Sequence, residues 1–232
     1  MNERLVNQLN AATGLAFAGF GLAAVIVGFW FPGWPVEFDG MAEEWAEFYR
    51  AEQTSILTSA VLVSVALVFL LWFATGLHRL LKSAEESRGT ATFSDVAFGA
   101  SIFGVGAIHV AMLCFTAAAF RAPETDPDMI MMMNDMAFIC GVPASGAGIA
   151  FFAANALAIL RTNVLPAWLG WFAAASAVLQ AGPLGGAFTK TGVFNLKDGL
   201  LGILLVFGTL GLWVTLASLV LIRRERVSEH AR

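Results

Sequence analysis

Residues 54–78 have the sequence TSILTSAVLVSVALVFLLWFATGLH, which contains no Asp, Glu, Lys or Arg. A helix of this length rises about 37 Å at about 1.5 Å per residue, and the hydrocarbon layer of a bilayer is about 30 Å thick. Apolar residues lie on every face of such a helix, whereas a surface helix of a soluble protein needs only one apolar stripe. The stretch therefore predicts a transmembrane helix.

Five further segments have the same character, and the composition agrees with them. Hydrophobic residues make up 58% and charged residues 13% of the 232 positions, against about 45–50% and about 25% in soluble domains. We predict an all-α fold, a polytopic transmembrane bundle that forms a single domain over residues 1–232. Its six spans are about 11–31, 54–78, 93–120, 134–160, 165–184 and 197–222, with a short surface helix at about 41–50.

The basic residues predict the orientation, because Lys and Arg are retained on the cytoplasmic side of a membrane. With six spans, nine of the 13 basic residues fall on the side of the N-terminus and four on the opposite side. This predicts that both termini lie in the cytoplasm (N-in, C-in). The nine are Arg4, Arg79, Lys82, Arg88, Arg161, Arg223, Arg224, Arg226 and Arg232; the four are Arg50, Arg121, Lys190 and Lys197.

Four carboxylates are expected at helix starts. A carboxylate in the first turn meets unpaired backbone N–H groups and the positive end of the helix dipole. Thr92 and Asp95 also have the spacing of a capping box. The alternative is that such residues are proton or cation sites. The predicted helix-terminal carboxylates are Glu52, Asp95, Asp135 and Asp198.

Two polar residues lie deep inside predicted spans, namely His109 and Asn155. An ionisable group near the middle of a bilayer is costly and usually faces the protein interior. His109 is thus either a neutral imidazole bonded to a neighbouring helix or a proton relay, metal ligand or haem ligand. For Asn155 we expect an interhelical hydrogen bond.

Sulfur-containing residues near His109 suggest an alternative function. Met129–Met136 contains five methionines, and thioethers and thiolates are soft ligands that suit Cu(I). A copper site or a disulfide would require the third and fourth spans to be neighbours. The simpler interpretation is apolar packing of flexible side chains. The candidate metal ligands are His109, Met112, Cys114, Cys140 and Met133.

No catalytic Ser/His/Asp set, HExxH motif or nucleotide-binding fingerprint occurs in the sequence. A haem held by two histidines needs a second intramembrane histidine, but His78 lies at the edge of a span and His230 in the tail. We expect no cofactor. The alternative is that the protein binds copper or haem. The leading hypothesis is a non-enzymatic scaffold, partner subunit or small transport component; the alternative is a redox or metal-binding protein. Expected partners are the lipid bilayer and another membrane protein or a second copy, not nucleic acid.

Two stretches resemble a family. Residues 161–171 (RTNVLPAWLGW) and 72–81 (WFATGLHRLL) are similar to runs in uncharacterised multi-pass membrane proteins of actinobacteria and related bacteria. The resemblance covers about residues 54–184. It implies a six-helix protein of the bacterial inner membrane, and it carries no activity or functional residue over to this chain.

Overall fold

The computed structural model describes residues 3–34, 36–89, 91–197, 199 and 203–230, and within these ranges every regular element is helical. The all-α prediction is confirmed. The helices in chain order are α1 (Glu3–Val25), continued by a π-helix (Ile26–Trp30), α2 (Ala42–Ala51), α3 (Gln53–Glu86), α4 (Thr92–Arg121), α5 (Pro127–Ile139), α6 (Gly141–Thr162), α7 (Ala167–Leu179), a 3₁₀ helix (Gly182–Ala187) and α8 (Ile203–His230).

Five helical segments of the described chain are long and apolar enough to cross a membrane, which confirms the membrane class. The predicted surface helix at about 41–50 is also present, as α2. α3 continues eight residues beyond the predicted boundary, because Leu81 extends its buried face. The five segments are Gln8–Trp30, Gln53–Glu86, Thr92–Arg121, Pro127–Thr162 and Phe207–Arg224.

The segment predicted as a span over 165–184 contains the shorter helix α7. This helix has 13 residues, so it is about 20 Å long. A 3₁₀ helix follows over Gly182–Ala187, where glycine and Pro183 disfavour a regular α-helix. Gln180, which ends α7, packs against Gly148, seven residues inside α6. α7 therefore ends about 10 Å short of the start of α6.

The segment predicted as one span over 134–160 is two helices that meet at Cys140. Pro143 explains the break, because proline has no N–H to bond the carbonyl of Ile139 and its ring clashes there. The first of these helices begins at Pro127 and is capped by Asp126, whose carboxylate accepts from Asp128 N at 2.9 Å. Asp135 thus lies inside α5, and its prediction as a helix-terminal carboxylate is wrong.

The main core lies where α1, α3, α6 and α8 meet. Phe73, Phe152 and Trp213 are almost fully buried there, and the Trp213 ring meets the Phe152 ring edge-on with centroids 5.9 Å apart. α1 approaches this core closely at Gly14. A Cβ at this position would lie within 3.0 Å of Ser218, Phe73 and Val214.

Polar contacts define the two ends of the bundle. At one end, which we call the basic end, the Arg88 guanidinium donates to the carbonyls of Arg161 and Thr162. Arg224 donates to Val164 O there at 2.7 Å. At the other end, which we call the cap end, Arg50 donates to Ala122 O at 2.9 Å.

Replacing Gly14 by leucine is expected to destabilise the protein, because the new side chain would overlap side chains of α3 and α8. Overpacking typically costs about 1–3 kcal/mol, and each kcal/mol lowers the Tm of a chain of this size by about 2–4 °C. Gly21→Leu is the matched control on the same helix, since nothing lies within 4 Å of a Cβ there. Thermal melting in detergent measures both variants, and equal Tm values would contradict this account of the core.

Candidate functional site

His109 lies on the outside of the bundle. It is exposed on α4, twelve residues before Arg121, which places it about 18 Å from that end of the helix. Its Nδ1 lies 3.0 Å from Val105 O in its own helix. The prediction that His109 faces the interior and bonds a neighbouring helix is therefore wrong.

The candidate metal ligands do not form one site. Within the described residues there is no group of three or more His, Cys, Asp or Glu side chains that could hold a metal ion. Cys114 and Cys140 are free thiols, half-buried near the α4–α5 contact. His109 is exposed. Met112 packs against the main core, whereas Met133 packs against the apolar residues around Trp34 at the cap end. Geometry thus gives no support to a redox or metal centre at His109.

Asn155 is fully buried on α6. Its Nδ2 donates to Phe151 O at 2.8 Å, one turn earlier in the same helix. Its Oδ1 has no hydrogen-bond partner among the described residues. The predicted interhelical hydrogen bond is absent from this part of the chain.

The carboxylates at helix starts differ in role from their prediction. Glu52 is the N-cap residue of α3, as expected, and its carboxylate accepts from Ser55 Oγ at 3.1 Å. Asp95 lies in the first turn of α4, but the predicted capping box is wrong, because Ala91 is the N-cap residue and makes no side-chain bond. Asp198 lies outside the described residues.

The start of α4 is instead capped from the preceding helix. Glu85, 2% exposed near the end of α3, accepts a hydrogen bond from the backbone N of Ser94 at 2.8 Å. A carboxylate here satisfies an unpaired N–H of the first turn and lies at the positive end of the helix dipole. Sequence reasoning missed Glu85, because the residue lies beyond the predicted end of its span.

Asp95 belongs to a polar group at the basic end. Its Oδ1 lies 2.8 Å from His78 Nε2 and 3.0 Å from Lys82 Nζ. The imidazole of His78 stacks on Phe98 with ring centroids 4.8 Å apart. These contacts join α3 to α4 and fix the plane of the His78 ring.

An aromatic cluster fills the cap end, with Trp34 at its centre. Trp34 has a φ of 41°, a left-handed conformation that is costly for a bulky residue. Its indole donates to Gly28 O at 2.5 Å, and its ring lies 4.9 Å from those of Phe29 and Phe48. Packing therefore holds the backbone in this conformation. The other aromatic members are Phe38, Trp45, Tyr49, Phe115 and Phe138.

Tyr49 connects the surface helix α2 to α5. Its hydroxyl donates to Asn134 Oδ1 at 3.0 Å, and both residues are fully buried. Burial, and then the nearby charge of Asp135, raise the pKa of Tyr49 well above its usual value. Asp135 itself pairs with Lys190 at 3.6 Å. The buried residues of α2 thus pack against the rest of the protein.

Lys197 is buried at the cap end. It is 3% exposed, its ammonium donates to Val36 O, and it lies 5.8 Å from the centre of the Trp45 ring. These contacts attach the segment after the 3₁₀ helix to the loop before α2. Sequence reasoning counted Lys197 only as an outward charge, since the pairing spans 161 positions of the chain.

A cavity with a volume of about 60 Å³ lies between α4 and α6. Two of its polar residues, Ser101 and Ser145, donate to carbonyls of their own helices. The amide of Gln180 donates to Thr209 Oγ1 at 3.2 Å. The remaining wall is apolar apart from helix backbone, so the cavity presents no catalytic set.

No family model matches the chain, and no match occurs among the curated proteins or the solved structures. The fold and the sites therefore define the class on their own. The chain is an all-helical membrane protein with five helices able to cross a bilayer. Its described Asp, Glu, Lys and Arg side chains concentrate at the two ends of the bundle.

Replacing Tyr49 by phenylalanine tests the cap end. The change leaves the buried amide of Asn134 without its hydrogen bond, which typically costs about 1–3 kcal/mol. In the unfolded chain Tyr49 loses its proton near pH 10, while the folded protein retains it. The stability of the parent should therefore fall as the pH rises above about 10, and Tyr49→Phe should lack this component.

Thermal melting of both proteins between about pH 8 and 11 measures the effect. Tyr49 is the only tyrosine in the chain, so tyrosinate absorbance in the near ultraviolet has a single origin. If tyrosinate absorbance appears near pH 10 while the protein remains folded, the buried position of Tyr49 is contradicted.

Proposed function

We propose that this chain is a non-enzymatic partner subunit of a bacterial inner-membrane assembly. In this proposal it crosses the bilayer six times, with both termini in the cytoplasm, and α4 contacts a helix of another protein. The single observation that carries the proposal is the outward position of His109 near the middle of an apolar helix. An imidazole facing lipid alone is costly, whereas a partner helix would give it a hydrogen bond.

The ends of the chain support six crossings. Asn10, near the start of α1, packs against Gly76 in the last third of α3. Arg224, near the end of α8, donates to Val164 in the turn after α6. A chain that begins and ends on the same side crosses an even number of times. Since five segments are long spans, α7 with its 3₁₀ helix supplies the sixth crossing.

The outward face of α4 suits a neighbouring helix. Gly99 and Gly106 are exposed, and nothing lies within 4 Å of a Cβ built on either. Phe103, Val110 and Leu113 flank them and are 50–66% exposed. Small residues allow helix backbones to approach closely in lipid. His109 lies on this same outward face of α4. Its presence distinguishes this face from the exposed apolar faces of the other helices.

The hydrogen bonding of His109 favours a partner of different sequence. Val105 O only accepts, so Nδ1 carries the hydrogen, and Nε2 of the neutral ring is an acceptor on this exposed side chain. Two copies related by a two-fold axis through α4 would oppose acceptor to acceptor. A partner with a hydroxyl or amide donor at this depth forms the bond, worth about 0.6–2 kcal/mol in membrane bundles.

Cysteine labelling tests the orientation. In a protein carrying Cys114→Ala and Cys140→Ala, single cysteines replace the exposed residues Ser83 and Glu124. A membrane-impermeant maleimide should label position 124 in intact cells and position 83 only after permeabilisation. Labelling of position 83 from outside would overturn the orientation.

Site-specific photocrosslinking tests the partner. A photoreactive residue at Val110 on α4 should give an adduct with a second protein in membranes of the native host. Val68 on α3 is the matched control, as both valines are about half exposed, at 50% and 55%. His109→Leu should clearly lower the yield of the Val110 adduct, while His109→Gln, which keeps an acceptor, should retain it.

Two outcomes would contradict the partner proposal. Lipid adducts alone at both positions would mean that α4 faces only the bilayer. An adduct with twice the mass of the chain would identify a second copy instead of a different protein. Melting of both His109 variants in detergent provides the control for folding.

A further inference from the structure

Asn155 has a buried side-chain oxygen that lacks a hydrogen-bond donor among the described residues. Its side chain is fully buried, its Nδ2 is bonded to Phe151 O, and its Oδ1 has no partner among the described residues. Leaving such an acceptor unbonded in a protein interior is costly, and most buried polar groups have a partner. A ligand that donates a hydrogen bond to Asn155 Oδ1 would remove this cost.

A small cavity lies next to this side chain. It has a volume of about 10 Å³, lies between α3, α4 and α6, and is lined by Asn155, His78, Phe98 and Phe151, among others. One water molecule needs about 10–15 Å³ on this measure and two to four polar partners. The volume matches one water molecule.

His78 provides the second polar partner. Its Nε2 faces the carboxylate of Asp95 at 2.8 Å, so Nε2 carries a hydrogen and donates. Its Nδ1 forms no hydrogen bond within the described part of the chain. Nδ1 accepts when the ring is neutral and donates when it is protonated. Water satisfies Nδ1 in either state and can still donate to Asn155.

We propose that this cavity is a binding site for a single water molecule that joins Asn155 Oδ1 to His78 Nδ1. The water would donate one hydrogen bond to Asn155 and form a second one with His78. Asn155 lies seven residues before Thr162, the end of α6, so the connection extends about 10 Å into the bundle. It links α6 to the group of His78, Asp95 and Lys82 that joins α3 to α4.

A double-mutant cycle tests the site in the full-length protein. Asn155→Leu should lower the Tm by a few degrees, because it displaces the water and leaves His78 without its partner. His78→Phe should also lower the Tm. Because both changes remove the same bridge, the double variant should lose clearly less than the sum of the two single shifts.

The control cycle combines Asn155→Leu with Tyr49→Phe. Tyr49 lies at the cap end and shares no partner with Asn155, so these two shifts should add. Additive shifts for Asn155 and His78 would overturn the proposal. An Asn155→Leu variant with a raised Tm would also overturn it, because removing an unbonded acceptor stabilises a dry site.

An experimental density map of the parent protein provides the second measurement, independent of whether the variants fold. A peak within hydrogen-bonding distance of both Asn155 Oδ1 and His78 Nδ1 is the expected result. A well-ordered map with no peak between these two atoms would overturn the proposal.

Discussion

The constraint on which this structure depends is the absence of water around the backbone within the apolar layer. Every N–H and C=O there must bond inside its own helix, so the chain is helical and its unsatisfied groups collect at helix ends. Neighbouring elements supply the partners. Glu85 of α3 accepts from the start of α4, Arg50 and Gln53 donate to carbonyls at the end of α4, and Arg88 donates to the end of α6.

These contacts explain why the two ends differ in character. At the basic end, long cationic side chains reach exposed carbonyls, and the interactions are mainly electrostatic. At the cap end, α2 folds over the bundle, and the aromatic cluster around Trp34 excludes water from the bond between Tyr49 and Asn134. The helices between these ends pack through apolar and small residues.

Composition and charge predict the class of fold, because lipid requires apolar side chains on all faces, as in residues 54–78. The same uniform apolar character conceals the orientation of helices and the breaks within them. α4 is apolar all round, so no periodicity indicates which way His109 points. The break at Cys140 lies within a continuous apolar run, where only Pro143 marks it. The roles of Glu85 and Asn134 depend on partners in other helices, Ser94 of α4 and Tyr49 of α2, which a pattern in one sequence does not reveal.

The short helix α7 has a consequence for the mechanics of the bilayer. At about 20 Å it is shorter than the hydrocarbon layer of about 30 Å, while α3 is about 50 Å long. A bilayer adapts to a short apolar segment by thinning locally, at a cost of fractions of a kcal/mol per Å. If α7 crosses the bilayer as proposed above, the membrane beside it would therefore be thinner than the membrane beside α3. Such lateral asymmetry orients a protein in its bilayer and favours association with neighbours that thin the membrane in the same way.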